Sequence, residues 1–165
     1  KPPMERNRII GISGTLGQRT ETSGGTKTNT TAVEGQINYG WNMKKYEYGP
    51  AFEMEYQQSD ASSKIGISMG GFYDYNVVPN SAEVLVVPGL TLRALIGIGQ
   101  STVSDTKTNR TMSQFGIGIF NKWFTFGPDS CLRGDILYSF GNSTEGDTKL
   151  STTSFALVGG FQIYF

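Results

Sequence analysis

From Ile10 to the end of the chain, apolar and polar residues change places at every second position, in eight separate stretches. In the first, Ile10, Ile12, Gly14 and Leu16 share one parity. The second carries Val33, Gly35, Ile37, Tyr39 and Trp41; the third Pro50, Phe52, Met54 and Tyr56; the fourth Ile65, Ile67, Met69, Gly71 and Tyr73. The fifth runs from Val86 through Leu90, Leu92, Ala94 and Ile96 to Ile98, and the sixth has Phe115, Ile117 and Ile119. Leu132, Gly134, Ile136, Tyr138 and Phe140 form the seventh, and Phe155, Leu157, Gly159, Phe161, Ile163 and Phe165 the eighth. A period of two is the mark of a strand with one apolar and one polar face. The apolar face carries no charge in any stretch. No sustained 3.6-residue period and no capping box before an apolar run competes with this reading.

The connections alternate too. Segments 20–31, 58–63, 101–111 and 141–150 are polar and rich in Thr and Ser, and read as long loops. Segments 42–47 and 76–81 are short, and 121–130 contains the turn-forming Gly127-Pro128-Asp129. Long polar loops at one end and tighter turns at the other is the arrangement of a membrane-spanning barrel. No run approaches the ~18 apolar residues that a transmembrane helix needs, but only every second residue of a barrel strand meets lipid.

The apolar face can point inward, as in a soluble ligand-binding barrel or sandwich, or outward into lipid. Solubility without detergent after native folding would mark the soluble form. The opposite face favours lipid: its mid-strand charges are Glu34, Glu53, Glu55, Asp74 and Asp135 with Arg93 and Arg133, and it has no mid-strand lysine. Arginine suits enclosed ion pairs with carboxylates. Aromatics fall into two bands, Tyr39, Trp41, Tyr46, Tyr48, Tyr73, Tyr75, Trp123, Phe124, Phe161 and Phe165 near one end, Tyr56, Phe115, Tyr138, Phe140 and Phe155 near the other. Two aromatic girdles are what two membrane interfaces ask for.

Composition narrows the chemistry. The 165 residues fit one domain, 1–165, and carry 14 Lys+Arg against 14 Asp+Glu with no histidine and one cysteine, Cys131. Nucleic-acid binding would need a basic face. Imidazole catalysis, an internal disulfide and a multi-thiolate metal site are excluded, so neither a metal nor a cofactor is expected. Cys131 reads as a small, inert apolar residue. Pro50 and Pro88 fall on the apolar face and mark bulges or lost ladder bonds.

The last residues resemble the insertion signal of bacterial outer-membrane barrels: Gly160, Ile163 and Phe165 match it, while Val158 stands where that signal usually has a polar residue. With the eight alternating stretches, the whole chain resembles a small eight-stranded outer-membrane barrel of the OmpA/OmpX class. The fold class this implies is all-β: a closed eight-stranded antiparallel up-and-down transmembrane β-barrel with a polar lumen. The resemblance also implies residence in the bacterial outer membrane after removal of a signal peptide, the lipid bilayer as partner, the barrel-assembly machinery engaged through the C-terminal strand, and a monomer. Enzymes of this barrel size, a lipid A palmitoyltransferase and a deacylase, use a histidine that this chain lacks, so no enzymatic activity is expected.

Eight strands enclose a space that side chains can fill. The inward charges form one expected unit: a network of Glu34, Glu53, Glu55, Asp74, Arg93, Arg133 and Asp135, with Arg93 bridging Glu53 and Glu55 and Arg133 near Asp135. A cation-selective path along the excess carboxylates is the sharper alternative. Gly66, Gly70, Gly97, Gly99, Gly116 and Gly118 lie on the inward face and leave room for a lumen pocket, unless larger neighbours fill it. The first function expected is a structural or surface-interaction role through the extracellular loops, with a filled lumen; the second is a narrow channel or small-ligand conduit.

Overall fold

The computed structural model describes residues 6–59, 62–81 and 83–165. Its strands are β1 (Arg8–Ser23), β2 (Thr26–Asn42), β3 (Tyr46–Gln58), β4 (Ser62–Asn76), β5 (Val86–Val103), β6 (Thr106–Trp123), β7 (Ser130–Glu145) and β8 (Thr148–Tyr164). Each pairs antiparallel with the next, and β1 pairs with β8, so the sheet closes on itself. Closure leaves no unpaired edge, which hydrocarbon would not tolerate.

The alternation maps onto the two faces of this wall. Leu16 and Ile96 are 64% and 67% exposed, whereas Asp74 and Lys122, on the opposite face, are fully buried. An apolar surface that encircles the molecule far exceeds the few hundred Å² a water-soluble monomer exposes. The belt between Tyr48 and Tyr56 of β3 spans about 26 Å of strand, or roughly 20 Å of height at the usual barrel tilt. That height matches the apolar band of a membrane barrel.

Aromatic rings edge the belt. At the end that holds both chain termini, Trp41 stacks on Tyr48 with ring centroids 5.7 Å apart, and Tyr39 lies 6.4 Å from Phe165. Arg8 covers the Trp41 ring at 5.5 Å and Lys45 covers Tyr75 at 5.3 Å. At the other end Phe115 and Phe140 pack at 5.4 Å.

The connections differ from the sequence reading. Segments 20–31, 101–111 and 141–150 are not loops. They are strand, bent back through two-residue turns at Gly24-Gly25, Ser104-Asp105 and Gly146-Asp147. Gly24 and Gly25 have φ of 54° and 85°, and Ser104 and Asp105 have 46° and 66°. Paired positive φ values belong to the I′ turn, whose twist matches that of the flanking strands. Threonine explains the extension, since its β-branched side chain suits a pleated sheet even where nothing apolar lies beneath. The longer irregular connections, with 77–81 and 83–85 described in one and 124–129 in the other, are at the end with the termini. The polar hairpins rise roughly 15–20 Å beyond Leu16, counted along β1 to Ser23 at barrel tilt.

Among the described residues every ladder keeps one register with no bulge. Pro50 does interrupt pairing: between Asn38↔Ala51 and Trp41↔Tyr48 the β2–β3 ladder lacks its intervening pairs. Pro88 stays in the β5–β6 ladder opposite Asn121.

Candidate functional site

The barrel interior is built from the inward parity of all eight strands, and its polar side chains are arranged in tiers. Nearest the hairpins, the Lys64 ammonium donates to Glu21 and lies 2.5 Å from Glu145. One tier down, the Arg19 guanidinium forks between Glu34 at 2.5 Å and Glu55 at 2.6 Å, and Arg110 donates to Glu55 at 2.8 Å. The next tier is centred on Asp135, which accepts from Arg133 at 2.7 and 2.8 Å and from Arg93 at 3.2 Å. Arg93 also donates to Gln36 at 2.7 Å, and Arg133 reaches Asp74. The Arg133 guanidinium lies 4.2 Å over the Phe120 ring, with Lys122 at 4.8 Å. Lys122 donates to Glu47 and, at 3.0 Å, to Asn76. Ionised groups in so narrow a space need this pairing, because an isolated buried charge is very costly.

All seven predicted lumen charges, Glu34, Glu53, Glu55, Asp74, Arg93, Arg133 and Asp135, are buried on this inner face. Their partners differ from those expected. Arg93 does not bridge Glu53 and Glu55. In the ladders it stands opposite Phe72, and Phe72 opposite Gly49, so the two glutamates lie further along β3. Arg19 and Arg110 serve Glu55 instead, and Glu53 forms no ion pair among the described residues. Arg19, Glu21, Glu47, Lys64, Arg110, Lys122 and Glu145 enlarge the network beyond the predicted set. Glu21, Arg110 and Glu145 fell in segments read as loop. Continuing the strand parity across those segments would have placed all three inside.

The glycines do not open a pocket within the lumen, although Gly66 and Gly99 line a void of about 780 Å³ together with the outward Ile65, Ile67 and Ile98. Met112 sits where a Gly66 side chain would stand, and Leu137 does so beside Gly116 and Gly118. Ser68 fills the space at Gly97, and the carbonyl oxygens of Ala94 and Ile65 close off Gly70 and Gly99. The missing side chains allow tight curvature rather than a cavity. The void among Gln36, Asn38, Asp74, Arg93, Arg133 and Asp135 is only about 20 Å³, room for about one water. A vestibule of about 210 Å³ opens at the hairpin end, lined by Glu21, Lys64, Glu145 and several hydroxyls.

The other end has an apolar floor, which the alternation had not predicted. Ile9, Val87, Phe124, Cys131 and Tyr164 are buried in one cluster, with Phe124 and Tyr164 rings 5.6 Å apart. Phe124 enters from the β6–β7 connection, anchored by its amide to the Leu85 carbonyl at 2.9 Å. The Tyr164 hydroxyl donates to Glu47 at 2.9 Å, tying floor to network. Cys131 is part of this floor and its thiol faces Gln162. The signal was present in apolar pairs at the strand ends, Ile9-Ile10, Val86-Val87 and Trp123-Phe124, where one residue of each must point inward.

Oxygens of Glu34, Glu53 and Glu55 lie within 4.8 Å of one another, a donor set that a cation could in principle use. The guanidiniums of Arg19 and Arg110 already hold two of these groups, so the cluster is an ion-pair network as it stands. Ile163 of β8 and Phe165 just beyond its end are exposed on the belt, and a side chain at Gly160 would press on Ser13 of β1.

No family sequence model and no curated protein sequence matches the chain. Solved structures do. Neisserial surface protein A aligns with TM-score 0.69 at 12% identity, covering 94% of this chain and 97% of that one. The N-terminal β-barrel domain of Pseudomonas aeruginosa OprF aligns with TM-score 0.55 at 13% identity, over 96% and 100%. Ail, the attachment invasion locus protein of Yersinia pestis, aligns with TM-score 0.51 at 15% identity, over 97% and 100%. At these identities the likeness is one of architecture: the chain has the fold of the small eight-stranded outer-membrane barrels.

Proposed function

We propose that the protein is a bacterial outer-membrane barrel that works as a non-catalytic, non-conducting scaffold for its polar hairpins. The observation that carries this reading is the filled lumen: tiers of ion pairs from Lys64 to Lys122 stand above the apolar floor of Phe124 and Tyr164. Apart from Glu53, the lumen carboxylates that acid–base chemistry would need are engaged with guanidinium or ammonium groups, and no histidine is available to assist. What remains for contact with the surroundings is the height of hairpin beyond the belt, and rigidly held surface elements are where binding sites sit. The names of the aligned surface and attachment proteins agree with work done at the cell surface. A closed wall needs no second copy, so the protein acts as a monomer. It enters the membrane through the barrel-assembly machinery, with Gly160, Ile163 and Phe165 as the signal read on β8.

Planar-bilayer recording of the folded protein and of Arg93→Ala tests the scaffold reading. Silence from both is expected, because removing Arg93 leaves the floor in place. Cation-selective steps in the wild type, enlarged in Arg93→Ala, would overturn it in favour of a narrow channel.

A further inference from the structure

Beside the apolar floor, side chains from three strands meet out of reach of water. Glu47 of β3, Asn76 of β4 and Lys122 of β6 are each fully buried. The Lys122 ammonium donates to Glu47 and, at 3.0 Å, to the side-chain oxygen of Asn76. Strand β5 lies between β4 and β6. Its inward residue at this height is Gly89, which stands opposite Asn76 on one side and Phe120 on the other. With no side chain there, the lysine reaches across β5 to the amide. The Phe120 ring is 4.8 Å from the ammonium and the Tyr164 ring 6.0 Å, so the nitrogen lies among aromatic carbon as well as beside an acid.

The partners of the lysine are held in place. The Asn76 backbone amide donates to the Lys45 carbonyl at 2.8 Å, and its side-chain nitrogen to the Lys44 carbonyl at 2.8 Å. Glu47 is fixed through its second oxygen, which accepts from Asn80 at 2.5 Å and from the Tyr164 hydroxyl at 2.9 Å. An amine that has lost a proton is a nucleophile, and an acid in contact with it can carry protons to a leaving group. Fixing such groups against each other offsets the poor reactivity of an amide carbon.

We propose that Lys122 and Asn76 join through a covalent side-chain amide after folding, with Glu47 as the proton carrier. Glu47 takes one proton from the ammonium. The freed lone pair attacks the side-chain carbonyl carbon of Asn76; the new C–N bond forms and the bond to Nδ2 breaks. A second proton passes from Nζ to Nδ2, and ammonia leaves. Lys122 keeps one hydrogen as the N–H of the new amide, and Glu47 ends as a carboxylic acid. Atoms and charge balance, and no oxidant or cofactor takes part. The step exchanges a buried ion pair for neutral groups, a change that proteins tolerate well. The side-chain oxygen of Asn80 is buried and has no donor among the described residues. Turning that amide over gives the new acid on Glu47 an acceptor. The bond fastens β4 to β6 across β5 and stands independently of what the hairpins do.

The test is the mass of the folded protein, measured after denaturation. It is expected to lie about 17 Da, one ammonia, below that of the expressed sequence. Protease digestion should give one branched peptide that joins the segments around Asn76 and Lys122. Lys122→Met and Asn76→Ser should each show its full sequence mass. Glu47→Gln, with folding followed by the mobility of unheated samples in gels, should close the bond about a hundredfold more slowly, the low end of what a positioned acid–base group contributes. The full sequence mass and two linear peptides from the folded wild type would overturn the proposal, and that result needs no variant to fold. A mass loss confined to Asn76 as a cyclic imide, or a loss of one water that joins Lys122 to Glu47, would overturn it as well. Closure of Glu47→Gln at the wild-type rate would overturn the part given to Glu47.

Discussion

Arg133 illustrates how the inner residues depend on one another. Its guanidinium serves Asp74 and Asp135 at once and lies over the Phe120 ring. Arg133→Ala would strand the buried Asp74 and leave Asp135 with Arg93 alone, and a loss of about 3–5 kcal/mol is expected in urea unfolding from lipid vesicles. Arg133→Lys should restore only part of it, since an ammonium lacks the planar set of donors with which the guanidinium spans both acids. Two glutamates two residues apart should behave oppositely. Glu55 is held by both Arg19 and Arg110, so Glu55→Gln should destabilise by about 2 kcal/mol or more. Glu53 has no ion pair among the described residues, and Glu53→Gln should be neutral or stabilising in the same assay. Equal losses from the two would show that the pairs are not what holds this tier.

The elements carry their own strains. Ser104 and Asp105 both hold positive φ without being glycine, and replacing them with Asn-Gly should stabilise the β5–β6 hairpin by about 0.5–1 kcal/mol. The interruption that Pro50 makes in the β2–β3 ladder should appear in hydrogen exchange as a faster amide at Tyr39 than at Ile37, both of which face β3. Alternation made these strands legible in the sequence, because lipid outside and charge inside enforce it at every pleat. Their ends were not legible. Polarity marked 101–111 as loop, while the β-branching of Thr106, Thr108 and Thr111 and the turn at Ser104-Asp105 marked it as hairpin. The second property decides, since above the belt nothing selects for apolar residues. The partners within the lumen were hidden for a different reason. Parity tells which residues face in, but the stagger around the ring decides which of them meet.

Taken whole, the molecule is a plugged cylinder with its charges sorted by side. Its seam is the pairing of β1 with β8, from Ile9↔Tyr164 to Thr22↔Ser151, between segments at opposite ends of the chain. Every other ladder joins neighbours in sequence; this one joins strangers. Until it forms, both β1 and β8 present bare amides and carbonyls to hydrocarbon, a state with no stable resting place. Folding is therefore governed by the rarest encounter in the chain, and the search for it should make insertion into vesicles slow and all-or-none, with no seven-stranded species on the way. Time-resolved gel mobility of folding samples should accordingly contain two bands alone, and a third, intermediate band would mean that the ring can wait half-closed.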